Sequence, residues 1–354
     1  MRKFIFILFL FPFVCQAQMN HGGIAAAANR SKVAVFYFDK VKRYPSGTTV
    51  FVSDSILGNT RSIGADLGTG NTGIGVNIAY SNNQNSIDST TSVYPGHKSL
   101  HLVLKPFLPT PLYDSQLGST GASNFRSEVY IEPWHYPYAV PSEIWLAWTV
   151  RFSTMARAID LAIPGDGGIH QNQASQGHPN TEIWMYSSTN SSFFNDRILI
   201  RGYIGDANSP TEWYYTAGQV KIQAGKRIDF IEHVIWDATG TPGTPSTDYG
   251  VFPYVAGTGT GLYELWVIID GVTSKVCTYT GPTAYSNTHE TVAQYGGTPK
   301  FGIYHYAWHT ADPTAANNSV AAGTDYLESW LGVIKFMYNL SGHYNSNGFN
   351  LVKP

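Results

Sequence analysis

The sequence predicts an all-β chain, a single-domain jelly roll or concanavalin-like β-sandwich of two antiparallel sheets, on three observations. Aromatic residues are abundant and charges scarce, with 23 Tyr, 18 Phe and 9 Trp against 13% charged residues, a balance that suits half-buried pleated surfaces and excludes disorder. Apolar residues recur with a period of two in stretch after stretch, while helical spacing is almost absent. Segments rich in Gly, Asn, Ser and Thr punctuate those stretches as turns and loops do.

The N-terminus stands apart. Met1-Arg2-Lys3 and the apolar run 4–14 form a short basic region and a signal-peptide core, too short to cross a bilayer as a stable helix. Cys15-Gln16-Ala17 supplies small residues at the outer positions of a cleavage site, so residues 1–17 are expected to be removed and the mature chain to start at Gln18, secreted or periplasmic. The alternative is a lipoprotein anchored through Cys15, against which Val14 stands where that signal favours a small residue. Residues 18–32 read as a flexible lead-in and 33–354 as one β domain, without repeat or linker. Loss of Cys15 leaves Cys277 as the single thiol, so no intrachain disulfide is expected in spite of export. The formal charge is −2, and removing Arg2 and Lys3 makes the mature chain more acidic. A global basic field for nucleic acid is therefore excluded, and any anionic ligand has to be met by local cations. No later run is apolar enough to span a membrane, and a monomer is expected.

Taken in order, 33–39 and 48–54 read as strands around a Tyr-Pro-Ser-Gly turn, and 55–95 as surface loops with one strand at 74–80. In 99–105, Leu100, Leu102 and Leu104 share one face and His101, Val103 and Lys105 the other. Arg126, Glu128 and Tyr130 alternate with Ser127, Val129 and Ile131. The clearest alternation is 143–152: Ile144, Leu146, Trp148, Val150 and Phe152 against Glu143, Trp145, Ala147, Thr149 and Arg151. Strands follow at 182–187, 197–204, 228–237, 263–270, 274–280, 300–308 and 327–338, with loops expected at 163–179 and 238–261. In 300–308, Lys300, Gly302, Tyr304, Tyr306 and Trp308 share a polar face while Phe301, Ile303 and His305 share the other. Glycine inside a strand gives up packing, so Gly302 marks a place where something approaches the backbone, and a sugar ring would fit.

Arg126-Ser127-Glu128 and Lys300-Phe301-Gly302-Ile303-Tyr304 resemble the Arg-x-Glu and Lys-x-Gly-x-Tyr strands of the jelly-roll polysaccharide lyases, the group that includes heparin lyase I and the alginate lyases of similar fold. Residues 225–236 and 261–271 resemble the framework strands of the heparin-lyase-I type, and the order holds from about Leu100 to Tyr338. The resemblance implies a lyase that cleaves a 4-O-linked uronate in an acidic polysaccharide by β-elimination, with ulvan or glucuronan favoured over alginate or heparinoids because the chain is acidic. It also implies that no redox cofactor is required and that a structural calcium ion could be held by Asp160, Asp166, Asn318 and Asp325.

Such chemistry must neutralise a carboxylate, remove the C5 proton and protonate O4. Arg126 suits the first task, since a guanidinium grips a carboxylate with two parallel hydrogen bonds, and Gln171 or Gln173 adds a neutral donor. Tyr304 suits the proton relay, because a phenol that ordinarily titrates near pH 10 is made more acidic by Lys300 and Arg126. His170, or His178 in the literal Gln176-Gly177-His178 match to the family's Gln-x-His strand, is the other candidate base, with Tyr304 then the acid. Glu128, Lys300, Tyr130, Trp145, Tyr306 and Trp308 complete the expected substrate-binding set. Two other readings compete: a non-catalytic carbohydrate-binding jelly roll that uses the same face, and a glycoside hydrolase, for which no paired carboxylates stand at suitable spacing. Mass spectrometry of the exported protein is expected to find Gln18 at its N-terminus, whereas an acylated Cys15 would replace that reading with the lipoprotein.

Overall fold

The computed structural model describes residues 32–39, 41–43, 50–52, 54–56, 59–61, 74–78, 86–104, 125–131, 143–153, 167–173, 179–186, 197–206, 209–217, 220, 225–244, 255–284, 298–305, 327–339 and 347–354. In chain order they form β1 (Lys32–Tyr37), β2 (Val41–Arg43), β3 (Val50–Val52), β4 (Asp54–Ile56), β5 (Asn59–Arg61), β6 (Ile74–Ile78), β7 (Ser86–Asp88), β8 (Ser99–Leu104), β9 (Phe125–Ile131) and β10 (Glu143–Phe152). There follow β11 (Gly167–Gln173), β12 (Pro179–Tyr186), β13 (Arg197–Asp206), β14 (Ser209–Ala217), β15 (Arg227–Ile235), β16 (Leu262–Ile269), β17 (Val272–Thr280), β18 (Thr298–His305), β19 (Leu327–Asn339) and a short helix, α1 (Gly348–Val352).

Among the described residues, eight strands make one antiparallel sheet in the order β17-β16-β15-β10-β19-β8-β7, with β1 also on β19. Seven make a second, β14-β13-β12-β11-β18-β9-β6, again antiparallel. Sequence-distant strands sit side by side in each, as in a sandwich built by crossovers between sheets. The inner faces meet in an aromatic core. Trp148 of β10 stacks on Phe230 of β15 with ring centroids 4.9 Å apart and reaches Phe301 of β18 at 5.4 Å, while Phe336 of β19 meets Phe301 edge-on at 6.3 Å. Ile183, Ile198, Ile200 and Ile303 complete the layer from the second sheet, and all are buried.

One polar group is enclosed there. Glu232 of β15 is buried between the sheets, where it accepts hydrogen bonds from Tyr263 Oη (3.0 Å) and Asn172 Nδ2 (3.2 Å). Its Oε2 lies 3.3 Å from His170 Nε2, although neither ring nitrogen of His170 makes a hydrogen bond of good geometry. Burial raises the Tyr263 phenol far above its ordinary value and the Glu232 carboxylate adds to the effect.

The alternation of 143–152 is met residue for residue by β10, but both of its faces are buried. Its outer face is covered by α1, where Val352 packs with Trp145, Ala147, Ile231, Ile268 and Met337. Gly348 lies against the Trp145 indole, and a β-carbon there would come within 2.3 Å of the ring, so only glycine fits. The sequence reading missed β11, β14, α1 and the short strands β2, β4, β5 and β7. Pro210 disguises β14, which sits at the sheet edge where a missing N–H is tolerated.

Beside α1, His233 lies between two carboxylates, with Nδ1 2.9 Å from Glu264 Oε2 and Nε2 2.9 Å from Glu143 Oε1. Burial disfavours the charged ring, but the hydrogen bonds to Glu143 and Glu264 outweigh it and raise the pKa. A raised folded-state pKa stabilises fully below the unfolded value, about pH 6.5, and the contribution is lost as pH rises through the folded value. Between about pH 6 and about pH 9, urea denaturation is expected to show the wild type losing on the order of 1 kcal/mol more than His233→Gln.

Candidate functional site

β18 carries the polar stretch. Phe301 and Ile303 are buried between the sheets, so Lys300, Gly302 and Tyr304 occupy the opposite face by the period of two. Gly302 has φ +149°, a conformation that side-chain-bearing residues rarely adopt.

Register brings the two sequence anchors together. Arg126 of β9 is the direct cross-strand partner of Tyr304, Glu128 of Gly302, and Tyr130 of Lys300. Opposed residues in such a ladder stand about 5 Å apart at Cα. On the other side of β18, Gln171 of β11 pairs with Lys300, and Gly168 with Tyr304. Gln171 pairs in turn with Glu182 of β12, and Glu182 with Arg201 of β13. One row of the outer face therefore reads Tyr130, Lys300, Gln171, Glu182, Arg201 across five strands.

Glu182 organises the far half of this row. Its side chain is 2% exposed and is held by three donors. Gln171 Nε2 donates to Oε1 at 2.9 Å and Trp184 Nε1 to Oε2 at 2.8 Å, and Arg201 Nε also donates to Oε2. The Arg201 guanidinium lies over the Trp184 ring, 4.2 Å from its centroid. A buried carboxylate needs this many partners, because desolvation would otherwise cost several kcal/mol. Gln171, expected to serve a ligand, thus holds a protein carboxylate.

His170 lies elsewhere. It is 0% exposed, on the core face of β11, with its ring 4.6 Å from that of Trp148 and 4.7 Å from that of Phe301. The reason is geometrical: adjacent strand residues face opposite ways, so His170 and Gln171 cannot both join one surface. A bulge between Gly168 and His170 shifts the register against both neighbouring strands. It changes the face, since without it His170 would share the side of Gly168. The expectation of His170 beside Tyr304 is therefore corrected. Trp145 is corrected too. It belongs to the other sheet, 5% exposed under α1, where it donates to Glu143 Oε1 at 3.0 Å and stacks on His233 at 3.8 Å.

Gln173 pairs with Thr298 at the end of β11. His178, Tyr306 and Trp308 lie outside the described residues, as do Asp160, Asp166, Asn318 and Asp325. Among the described residues no cluster of three or more His, Cys, Asp or Glu is arranged to hold a metal ion, and no helix is long and apolar enough to cross a membrane.

No protein-family model and no curated protein matches the sequence. Solved structures are similar. An endo-β-1,4-glucuronan lyase from the fungus Trichoderma reesei is 16% identical over 75% of this chain and 91% of its own, with a TM-score of 0.48. A marine alginate lyase from Aplysia kurodai is 12% identical over 87% of this chain and 100% of its own, at 0.46. An alginate lyase from Klebsiella pneumoniae is 8% identical over 71% of this chain and 86% of its own, at 0.43. Each of the three is a lyase.

Sequence reasoning passed over Arg201, Trp184 and Glu182. The signal was present. Arg197, Leu199, Arg201 and Tyr203 alternate with Ile198, Ile200, Gly202 and Ile204, which puts Arg201 on the face opposite the buried isoleucines. Only the register shows that this arginine meets Glu182. From its core position, His170→Gln is expected to lower the unfolding free energy by about 1–3 kcal/mol in chemical denaturation, and to leave intact the affinity for an acidic oligosaccharide bound on the outer face. Loss of binding without loss of stability would contradict that assignment.

Proposed function

We propose that this chain is an exported polysaccharide lyase that cleaves a uronate-containing acidic polysaccharide, ulvan or glucuronan before alginate or heparinoids, by β-elimination. The observation that carries the reading is the direct cross-strand pairing of Arg126 with Tyr304, residues far apart in sequence, with Lys300 four residues along the same strand.

In this reading Arg126 grips the uronate carboxylate through parallel hydrogen bonds and spreads the negative charge that develops when C5 loses its proton. Tyr304, directly across the ladder from Arg126, takes that proton. Electrons of the C5–H bond form the C4–C5 double bond, the C4–O4 bond breaks, and O4 leaves protonated. With His170 in the core, Tyr304 is the described residue suited to both proton transfers. Gly302 has no side chain of its own between Lys300 and Tyr304, which is where the sugar would come close to the backbone in this reading.

A second reading, a non-catalytic carbohydrate-binding jelly roll, draws on the burial of His170, which removes one candidate base. Tyr304→Phe separates the two. The purified protein, incubated with ulvan, glucuronan, alginate and heparinoids, is expected to raise absorbance in the unsaturated-uronate band on at least one of them. Tyr304→Phe is expected to lower turnover by about a hundredfold or more while retaining binding. A wild type silent on every uronan that still binds one would establish the binding module instead.

A further inference from the structure

The outer face of the first sheet lies on the far side of the sandwich from β18 and carries a row of its own. At one end of β10 the face is covered by α1, over Trp145. At the other end Arg227 of β15 pairs with Arg151 of β10, Arg151 with Trp330 of β19, and Trp330 with His101 of β8, across four adjacent strands. Their sequence neighbours Ile228, Val150, Leu331, Leu100 and Leu102 are buried between the sheets, which puts the row on the opposite side. All four of its residues are partly exposed. At about 4.8 Å per strand, the row is roughly 14 Å long.

The acids of this face are already engaged. Glu328 lies 3.1 Å from His101 Nε2, Asp229 accepts two hydrogen bonds from Arg227, and Asp88 accepts from Trp330 Nε1 at 2.9 Å and from Thr90 and Thr91. Arg151 has no hydrogen-bond or carboxylate partner among the described residues, and its guanidinium lies over the Trp330 ring, 5.1 Å from the centroid. That indole is itself fixed, since Asp88 holds its Nε1 and His101 stacks on it at 4.6 Å, 1° from parallel. A planar fork of five N–H donors seated on a held ring is preorganised for a carboxylate. Nearby, Tyr94 sits over Gly332, where a β-carbon would come within 2.9 Å of it, and its ring has Arg227 at 5.4 Å and Lys335 at 5.9 Å. Partly exposed rings beside cations offer an acidic sugar apolar contact as well as charge. One free guanidinium suits carboxylates spaced by sugars better than the dense phosphates of nucleic acid.

We infer that Arg151, seated on Trp330, is the carboxylate-binding point of a second, non-catalytic site that holds an acidic polysaccharide on the face opposite the proposed reaction. For its ligand the inference rests on the uronan reading, but it does not depend on catalysis. A short oligosaccharide cannot reach both faces of the sandwich, so each fills one site, whereas a long polymer can engage both and gain avidity.

The test uses the full chain carrying Tyr304→Phe, so that ligand is bound and not consumed, in calorimetric titration with a short glucuronan oligosaccharide and its methyl ester, and in hydroxyl-radical footprinting of the saturated complex. Two sites per chain are expected for the acid. Adding Arg151→Gln is expected to leave one, to remove the protection of Trp330 and Tyr94, and to weaken binding of the long polymer by about tenfold to a hundredfold; the ester is expected to give Trp330 and Tyr94 no protection. Arg151→Lys, which keeps the charge without the fork, is expected to fall between, and it replaces the glutamine variant if that variant loses its native near-ultraviolet circular dichroism. A single site with affinity indifferent to both variants, or equal losses for acid and ester, would overturn the assignment, as would equal Arg151-dependent binding of a DNA duplex. A wild type without lyase activity whose oligosaccharide binding still depends on Arg151 removes the lyase reading and leaves this one. Lyase activity with one site independent of Arg151 does the reverse. Failure of the Tyr304→Phe protein to bind any acidic oligosaccharide overturns both.

Discussion

A carboxylate sealed between two sheets fixes what this protein presents to solvent. Glu232 is fully buried, and it is tolerated because Tyr263 and Asn172 donate to it and His170 stands beside it. Two of those residues lie on β11, so the buried group reaches from one sheet and holds a strand of the other. A one-residue slip of β11 would carry His170 and Asn172 outward and bury Gln171, exchanging the contents of the two faces at once. The polar core network therefore acts as a register lock. Apolar packing against Trp148 and Phe301 supplies contact area, but it would tolerate neighbouring registers far better than a carboxylate whose donors must stay in place.

This constraint also separates what could be read from the sequence from what could not. The strands of the core were legible because their alternation is strict. Glu143–Phe152 stands where the pattern puts it, and Phe301 and Ile303 are buried as their spacing requires. The pairing of Arg126 with Tyr304 was expected only as a common surface, since register between strands so far apart is set by the whole sheet and by no local signal. β11 was hidden for another reason. A central strand that reads Gly-Gly-Ile-His-Gln-Asn-Gln has polar residues on both faces, one set serving the buried carboxylate and the other the outer row, so it has no hydrophobic period to detect. The bulge at Ile169 then changed the face of His170, and bulges leave little trace in composition.

The outer face repeats the logic of the core with the charges reversed in role. Glu182 is as enclosed as a core residue, and of its donors Gln171 and Trp184 are buried with it while Arg201 is partly exposed. Removing such a carboxylate would leave a stacked guanidinium without its buried partner, so the acid contributes order more than attraction. It converts a flexible arginine into a fixed one. That distinction matters in a chain whose formal charge is −2, because a polyanion gains nothing from the protein's overall field and has to find cations that are already oriented.

Orientation also bears on how the proposed chemistry would respond to salt. Exposed charges are screened within about 8–10 Å at physiological ionic strength, whereas partly buried, hydrogen-bonded ones are screened much less. Arg201 lies over Trp184, donates to buried Glu182 and is mostly covered. Attraction at this face should then depend on contact geometry more than on long-range steering. A ligand that fits would hold in salt, and one that merely carries charge would not. In the proposed reading that is discrimination by shape: the cross-strand pairing of Arg126 with Tyr304 would set where a sugar acid reacts, and the order of the polar face, more than net charge, would set how it is held.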